Sequence, residues 1–247
     1  EVEIQAAIDS LPSGGGTVLL TEGTFNVGTT TYDTKAISIN ATNTQLIGSG
    51  HGTIIKLADG YATGSVAIID ATNVASIRIA DLQIDGNDGL ITEAGSYYGI
   101  EFDGVASSTI ENVYVHDVQD RGVQLLFSEY NTLTNNVANS NTIGLYIAGS
   151  DNNTLTSNVA NNNTFQGISV DTANNNTLTS NVANNNTGEG FVLSGASNST
   201  LTGNIANNNL EAGLLLQVSS GNNAIVGNSF ANNNEEGIII FSSTQNT

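Results

Sequence analysis

The sequence predicts an all-β chain wound as a single-stranded right-handed parallel β-helix, with coils of about 22–24 residues and a short N-terminal capping helix. Three observations carry that expectation. Residues 153–163 recur almost verbatim as 176–186, and weaker copies begin at Asn131, Ser199 and Asn223. A core Leu or Ile falls at Ile110, Leu133, Leu155, Leu178, Leu201 and Ile225, in steps of 23, 22, 23, 23 and 24. A glycine that opens the next apolar strand falls at Gly99, Gly122, Gly144, Gly167, Gly190, Gly213 and Gly237, in steps of 23, 22, 23, 23, 23 and 24. Two markers holding one period leave room in each coil for three short β-branched strands and none for a helix of about ten residues. Leucine-rich repeats share the length but require several leucines per repeat, a pattern absent here.

The elements follow in order. Residues 3–9 place Ile4, Ala7 and Ile8 on one helical face, suited to closing the open end of a solenoid. Three glycines at 14–16 precede a first strand at 17–20, and further strands fit 36–39, 45–47, 53–57, 66–69 and 76–85. From Ile77 to Ile110 the step is 33, so about ten extra residues loop out around Gly86 to Tyr98. The chain therefore reads as one domain, 1–247: cap and first strand in 1–30, irregular coils in 31–98 with an insertion near 86–98, and regular repeats in 99–247. In those repeats Asn136, Asn158, Asn181, Asn204 and Asn228 share one register. Parallel coils stack about 4.8 Å apart, so identical amides can bond to their copies above and below, which makes this ladder structural.

Charge narrows the partners. Four basic residues stand against 23 acidic ones, a formal charge of −19. Nucleic-acid binding needs clustered Lys and Arg and is excluded on this balance, and an anionic membrane is disfavoured for the same reason. The longest apolar run is too short for a membrane-spanning helix. Acidity of this kind suits Ca²⁺, for which Asp85 and Asp88 are the candidate ligands. Cysteine is absent, which rules out disulfides and thiolate zinc sites. Only 11% of residues are charged, and Asn, Thr, Ser and Gly dominate, as in extracellular or cell-surface solenoids. The start at Glu1 with no Met anywhere suggests a removed leader or a piece of something larger. Asn-x-Thr/Ser matches at Asn40, Asn152, Asn162, Asn175, Asn185 and Asn198 are expected from composition alone.

The opening Ile4-Gln5-Ala6-Ala7-Ile8-Asp9, then Gly14-Gly15-Gly16-Thr17-Val18 and Glu22-Gly23-Thr24-Phe25, resembles the entry of pectin-lyase-like β-helix proteins. Ile54 to Gly60 and Asp81 to Asn87 are similar to the corresponding stretch of the mannuronan C5-epimerase catalytic module, so the resemblance covers roughly the N-terminal half. It implies the fold and a polysaccharide partner, and it is shared by lyases, hydrolases, epimerases and non-enzymatic surface proteins. The epimerases carry a Tyr-Gly-Phe-Asp-Pro-His-Glu strand. Matched on its glycine, this chain reads Arg121-Gly122-Val123-Gln124-Leu125-Leu126-Phe127, so the Tyr, Asp and His positions hold Arg121, Gln124 and Leu126.

Alternation after the repeat glycines points Glu101, Gln124, Tyr146, Ser169, Val192, Leu215 and Ile239 outward in one column. Asp103, Leu126, Ala148, Asp171, Ser194, Gln217 and Phe241 form its neighbour. The resemblance makes this sheet the substrate groove, with Glu101, Asp103, Gln124 and Tyr146 as binding residues. Toward the C-terminus it turns apolar, and Val192, Leu215, Ile239 and Phe241 are the expected interface with a covering segment or a second copy stacked head to tail. If the chain is an enzyme, Tyr98, His116, Asp120 and Arg121 are the catalytic candidates, with Tyr97 and Asp117 beside them. Two functions from different classes remain: a secreted or surface β-helix acting as a rigid structural or interaction module, self-assembling or polysaccharide-binding, and a polysaccharide lyase or C5-epimerase acting on uronate polymers. The altered strand and the scarcity of cations favour the first.

Overall fold

The computed structural model describes residues 2–28, 34–60, 65–90 and 95–247. Within them the chain is a right-handed parallel β-helix with one short helix, Val2–Asp9, at its N-terminal end. Ile4 and Ile8 are buried on the helix face turned to the first coils, as the spacing of its apolar residues requires.

Three parallel sheets run the length of the solenoid. Sheet A stacks nine strands from Gly16–Leu19 to Ala224–Val226. Sheet B stacks five, Gly23–Val27, Thr53–Leu57, Gln83–Asp85, Tyr114–His116 and Val137–Asn139. It continues as single bridges from Val159 to Val182, Ile205 and Ser229. Sheet C stacks nine, from Lys35–Ile39 to Ile238–Ile240. Inside, like residues sit on like: Ile79, Ile110, Leu133, Leu155, Leu178 and Leu201 form one fully buried column of sheet A.

The expected strand at 76–85 is two strands, Arg78–Ala80 and Gln83–Asp85. Asp81 breaks it by taking a left-handed conformation (φ 55°), the corner that Asn112, Asn135, Ser157 and Ser180 make in later coils. Ile79, not Ile77, is the partner of Ile110. From Ile84 to Ile100 the chain uses 16 residues where the next coil, from Val115 to Val123, uses 8. The insertion is therefore eight residues rather than about ten, and its residues 91–94 lie outside the described ones.

The repeat glycines are there for close approach. A Cβ on Gly167 would stand 2.7 Å from the Gly190 carbonyl oxygen and 2.7 Å from the Ala183 Cβ. Only a hydrogen lets successive coils stack at that corner. The asparagine ladder is one of three in the buried corners, beside a half-buried fourth at Asn139, Asn161, Asn184 and Asn207. Besides Asn136, Asn158, Asn181, Asn204 and Asn228, a second runs through Asn131, Asn153, Asn176, Ser199 and Asn223, and a third through Asn141, Asn163, Asn186, Asn209 and Asn233. Each buried amide answers the same need: a corner leaves backbone groups unpaired in the interior, and the next coil's side chain satisfies them.

Candidate functional site

Sheet C carries the polar surface. In Ser96–Asp103 the in–out alternation breaks at Gly99, so Tyr98 and Glu101 both face outward while Ile100 and Phe102 are buried. Stacking then sets Tyr98 beside Arg121, and Asp70, Glu101, Gln124 and Tyr146 in one row. The Lys35 ammonium lies 2.6 Å from the Asp70 carboxylate, which is 1% exposed, and 3.0 Å from the Thr72 hydroxyl. Gln124 donates to Glu101 at 2.7 Å and accepts from the Arg121 guanidinium. That guanidinium lies 4.0 Å from the Tyr146 ring centroid and 5.6 Å from that of Tyr98. The Tyr146 hydroxyl donates to Asp171 at 3.3 Å. One polar network thus runs from Glu101 to Asp171, with the Lys35–Asp70 pair next to it.

The electrostatics follow from partial burial in an acidic setting. Burial holds the Glu101 carboxyl above the ordinary range, and Asp70 and Asp103 push the same way against the Gln124 hydrogen bond and Lys35. Burial likewise raises the Tyr146 phenol, helped by Asp171 and opposed by Arg121. Arg121 is held on several sides: Asp120 is 3.8 Å from Nε, which is buried without a hydrogen bond.

Of the catalytic candidates, Tyr98, Asp120 and Arg121 come together here. His116 does not, since its strand belongs to sheet B and its ring packs on Tyr114 at 4.6 Å between centroids. Tyr97 is 1% exposed, inside the core. The binding candidates Glu101, Asp103, Gln124 and Tyr146 all belong to the sheet C surface, although Gln124 is buried beneath its neighbours. Among the interface candidates Val192 is only 2% exposed, which removes it from an accessible strip. Leu215 and Ile239 are half-buried, and Phe241 is exposed.

Two aromatic residues at the rims of this face went unread in the sequence. Phe127, 72% exposed, follows the strand Arg121–Leu126, and Phe165, also exposed, precedes Ile168–Asp171 at the opposite end of the sheet. Phe127 adopts φ 46° at a turn where the adjoining coils place Gly104 and Gly149, and a Cβ on Gly149 would meet the Phe127 ring at 2.9 Å. A bulky residue in that conformation is strained, and such strain concentrates at functional sites. The readable signal was a phenylalanine standing between the glycines at 104 and 149 of the flanking coils, in a column that elsewhere also holds Thr172 and Val218 at positive φ.

On the outer face of sheet B, Asp85, His116 and Asp117 place one ligand atom each within 4.8 Å of the others. Asp88, the other metal candidate, lies in a short turn whose backbone N–H donates to the Asp117 carbonyl, and it is not in this group. Asp85 is also paired with Lys56 at 2.6 Å.

These features define a pectin-lyase-like parallel β-helix with a polar face on one sheet. The chain belongs to the family described as "Periplasmic copper-binding protein (NosD)", whose model matches residues 80–247. Among solved structures it is similar to the A-modules of two Azotobacter vinelandii mannuronan C-5 epimerases. AlgE4 is 25% identical over 99% of this chain and 71% of that one, with a TM-score of 0.87. AlgE6 is 26% identical over 99% of this chain and 69% of that one, with a TM-score of 0.88. Alginate lyase 7 of A. vinelandii is 34% identical over 125 residues, 47% of this chain, and the chain spans only 15% of that protein's length. The family's copper can be tested against the donors present. With no Cys and no Met, the chain offers no soft ligand for Cu(I). One imidazole and two carboxylates at Asp85, His116 and Asp117 suit a divalent ion such as Cu(II).

Proposed function

We propose that the chain is a polysaccharide-binding β-helix that works outside the cytoplasm and takes a sugar chain along sheet C. The observation that carries this reading is the Tyr98–Arg121–Tyr146 stack, joined through Gln124 and Glu101 to a row of fixed donors and acceptors. Sugars are recognised by planar donor–acceptor groups that bind hydroxyls and by aromatic faces that cover apolar C–H patches. Arg121 and Asp171 supply the first, and Phe127 and Phe165 at the rims supply the second. Because each groove side chain is held by its neighbour, little rotamer entropy is lost on binding. The net charge of −19 opposes dense polyanions, so a uronate polymer binds best at high ionic strength or bridged by Ca²⁺.

A second reading, a lyase or C5-epimerase, is favoured by the raised Glu101 carboxyl next to the Arg121 network and by the relatives named above. Affinity electrophoresis and calorimetry on alginate, pectate and neutral polymers, with and without Ca²⁺, test both. Binding that disappears in Arg121→Ala without unsaturated product or altered sugar configuration supports the first. Turnover establishes the second, and wild-type binding by Arg121→Ala defeats the groove assignment.

A further inference from the structure

We infer that the outer face of sheet A is an ice-binding surface built from a regular array of threonines, separate from the polar face of sheet C. Four successive strands of that sheet read Thr-Leu-Thr: Thr132–Thr134, Thr154–Thr156, Thr177–Thr179 and Thr200–Thr202. Each central leucine is fully buried, so both threonines of every strand point outward. The strands pair in strict register, first threonine on first and last on last. The result is two parallel ranks of hydroxyls. Within a rank the spacing is the stacking distance of about 4.8 Å, and between ranks it is two strand residues, about 6.6 Å. These distances lie close to the two oxygen repeats of an ice prism face, the shorter along the solenoid and the longer across it. Each hydroxyl then stands where a surface water would, and the methyls fill the hollows between.

Three further observations point to frozen water as the partner. Among the described residues, none of these threonine hydroxyls is hydrogen-bonded within the protein, although the asparagines on either side of them are. Threonine is stiff at χ1, so hydroxyl and methyl repeat from coil to coil with little freedom to lose on binding. Each triplet also stands between two ladder positions, as Thr154–Thr156 does between Asn153 and Asn158. Side-chain ladders of this kind keep a stacked sheet flat, which a crystal face requires. Finally, these strands carry no charged and no aromatic side chain, in a chain of net charge −19. A carboxylate holds a hydration shell that the ice lattice rejects, and a crystalline polysaccharide would be met by aromatic faces. The array stops where this composition stops. Glu111 pairs with Thr134 on the N-terminal side, and Ala224 and Val226 pair with Thr200 and Thr202 on the other.

The test is nanolitre osmometry of the whole chain, with ice-crystal shape recorded on cooling, and capture of the protein by a growing ice hemisphere. The parent is expected to open a gap between melting and freezing points, to facet the crystals and to enter the ice. Thr156→Tyr/Thr179→Tyr sets rings in the middle of one rank and should lose all of these effects. Tyrosine suits an outward strand position, so circular dichroism should match the parent. Val159→Tyr puts the same ring on the outer side of sheet B and should keep them. Polysaccharide binding should be the parent's in both variants, which separates failure here from failure of the sheet C reading. A parent that neither delays freezing, facets crystals nor enters ice would overturn the assignment. So would a folded Thr156→Tyr/Thr179→Tyr that keeps those effects, or a folded Val159→Tyr that loses them.

Discussion

Replacing Asn181 with Ala tests whether the ladders hold the coils together. Asn181 Oδ1 accepts from the Asn158 backbone N–H at 2.9 Å and from its side-chain amide at 3.0 Å. Its own amide donates to the Leu155 carbonyl at 2.9 Å and to Asn204 Oδ1 at 3.0 Å. Asn158 is 0% exposed, so no water replaces the lost acceptor. Its side-chain amide still reaches the Leu133 carbonyl at 2.8 Å, and Asn204 Oδ1 still receives the backbone N–H of residue 181, so the stranded group is the Asn158 N–H. An unmet buried donor costs about 1–3 kcal/mol, and the net loss of the bond to Leu155 adds about 0.5–1.5 kcal/mol. A total of about 2–4 kcal/mol should lower the urea midpoint. If coils open locally, the Asn158 amide should exchange with deuterium roughly 30 to 1,000 times faster, taking about 1.4 kcal/mol per factor of ten. Thr202→Ala, an exposed hydroxyl on sheet A, should fall within about 0.5 kcal/mol of the parent. Unchanged midpoint and unchanged Asn158 protection in Asn181→Ala would refute the reasoning.

Glu101→Gln should raise the melting temperature at pH 7 and leave it unchanged well below pH 4.5, the ordinary value of this carboxyl. The folded-state carboxyl titrates above that value, so its contribution is fully present below it and is lost as pH rises through the folded one; scanning calorimetry across that range reads the difference. Arg121→Lys keeps the charge but gives up the flat stack on Tyr146, and should weaken polysaccharide binding about 2- to 30-fold by calorimetry, the range of a cation–π contact of about 0.5–2 kcal/mol. The exposed Ile238, Ile240 and Phe241 should make the protein associate as its concentration rises, and Ile239→Lys/Phe241→Lys should abolish that in light scattering. A parent that stays monomeric at every concentration would remove the self-association reading.

The regular coils were legible because every coil solves the same problem with the same residue. Gly167 and Gly190 must let carbonyls approach, and Asn158 and Asn181 must feed a corner's backbone. The other two buried ladders lie in the same repeats and go unread because Asn131 and Asn141 sit among so many asparagines that no single column stands out. The polar face of sheet C was half legible. Glu101, Gln124 and Tyr146 follow from the glycine register, but Lys35 and Asp70 lie in coils of unequal length, where a residue's partner cannot be counted from a period. Nor does a period say that Gln83 and Asp85 belong to a different sheet from Arg78, because the left-handed Asp81 between them is a property of the corner rather than of the pattern.

What separates binding from turnover on this sheet is the supply of ionisable groups. Moving a proton off C5 of a uronate and returning one to the opposite face needs a base on one side, an acid on the other and a cation for the developing charge. Arg121 supplies the cation. Glu101, with its raised titration, supplies one acid–base group. The second is missing where the epimerase strand would hold it: Gln124 is 1% exposed, with its amide engaged by Glu101 and Arg121, and Leu126 has no proton to move. Tyr146 is a poor substitute, since burial and Asp171 push its phenol further from ionising. Polymannuronate incubated with the protein in D₂O should therefore bind without taking up deuterium at C5, as read by proton NMR of the recovered sugar. Deuterium at C5 that persists in His116→Ala and disappears in Glu101→Gln would show that sheet C completes the pair with a residue this reasoning leaves idle.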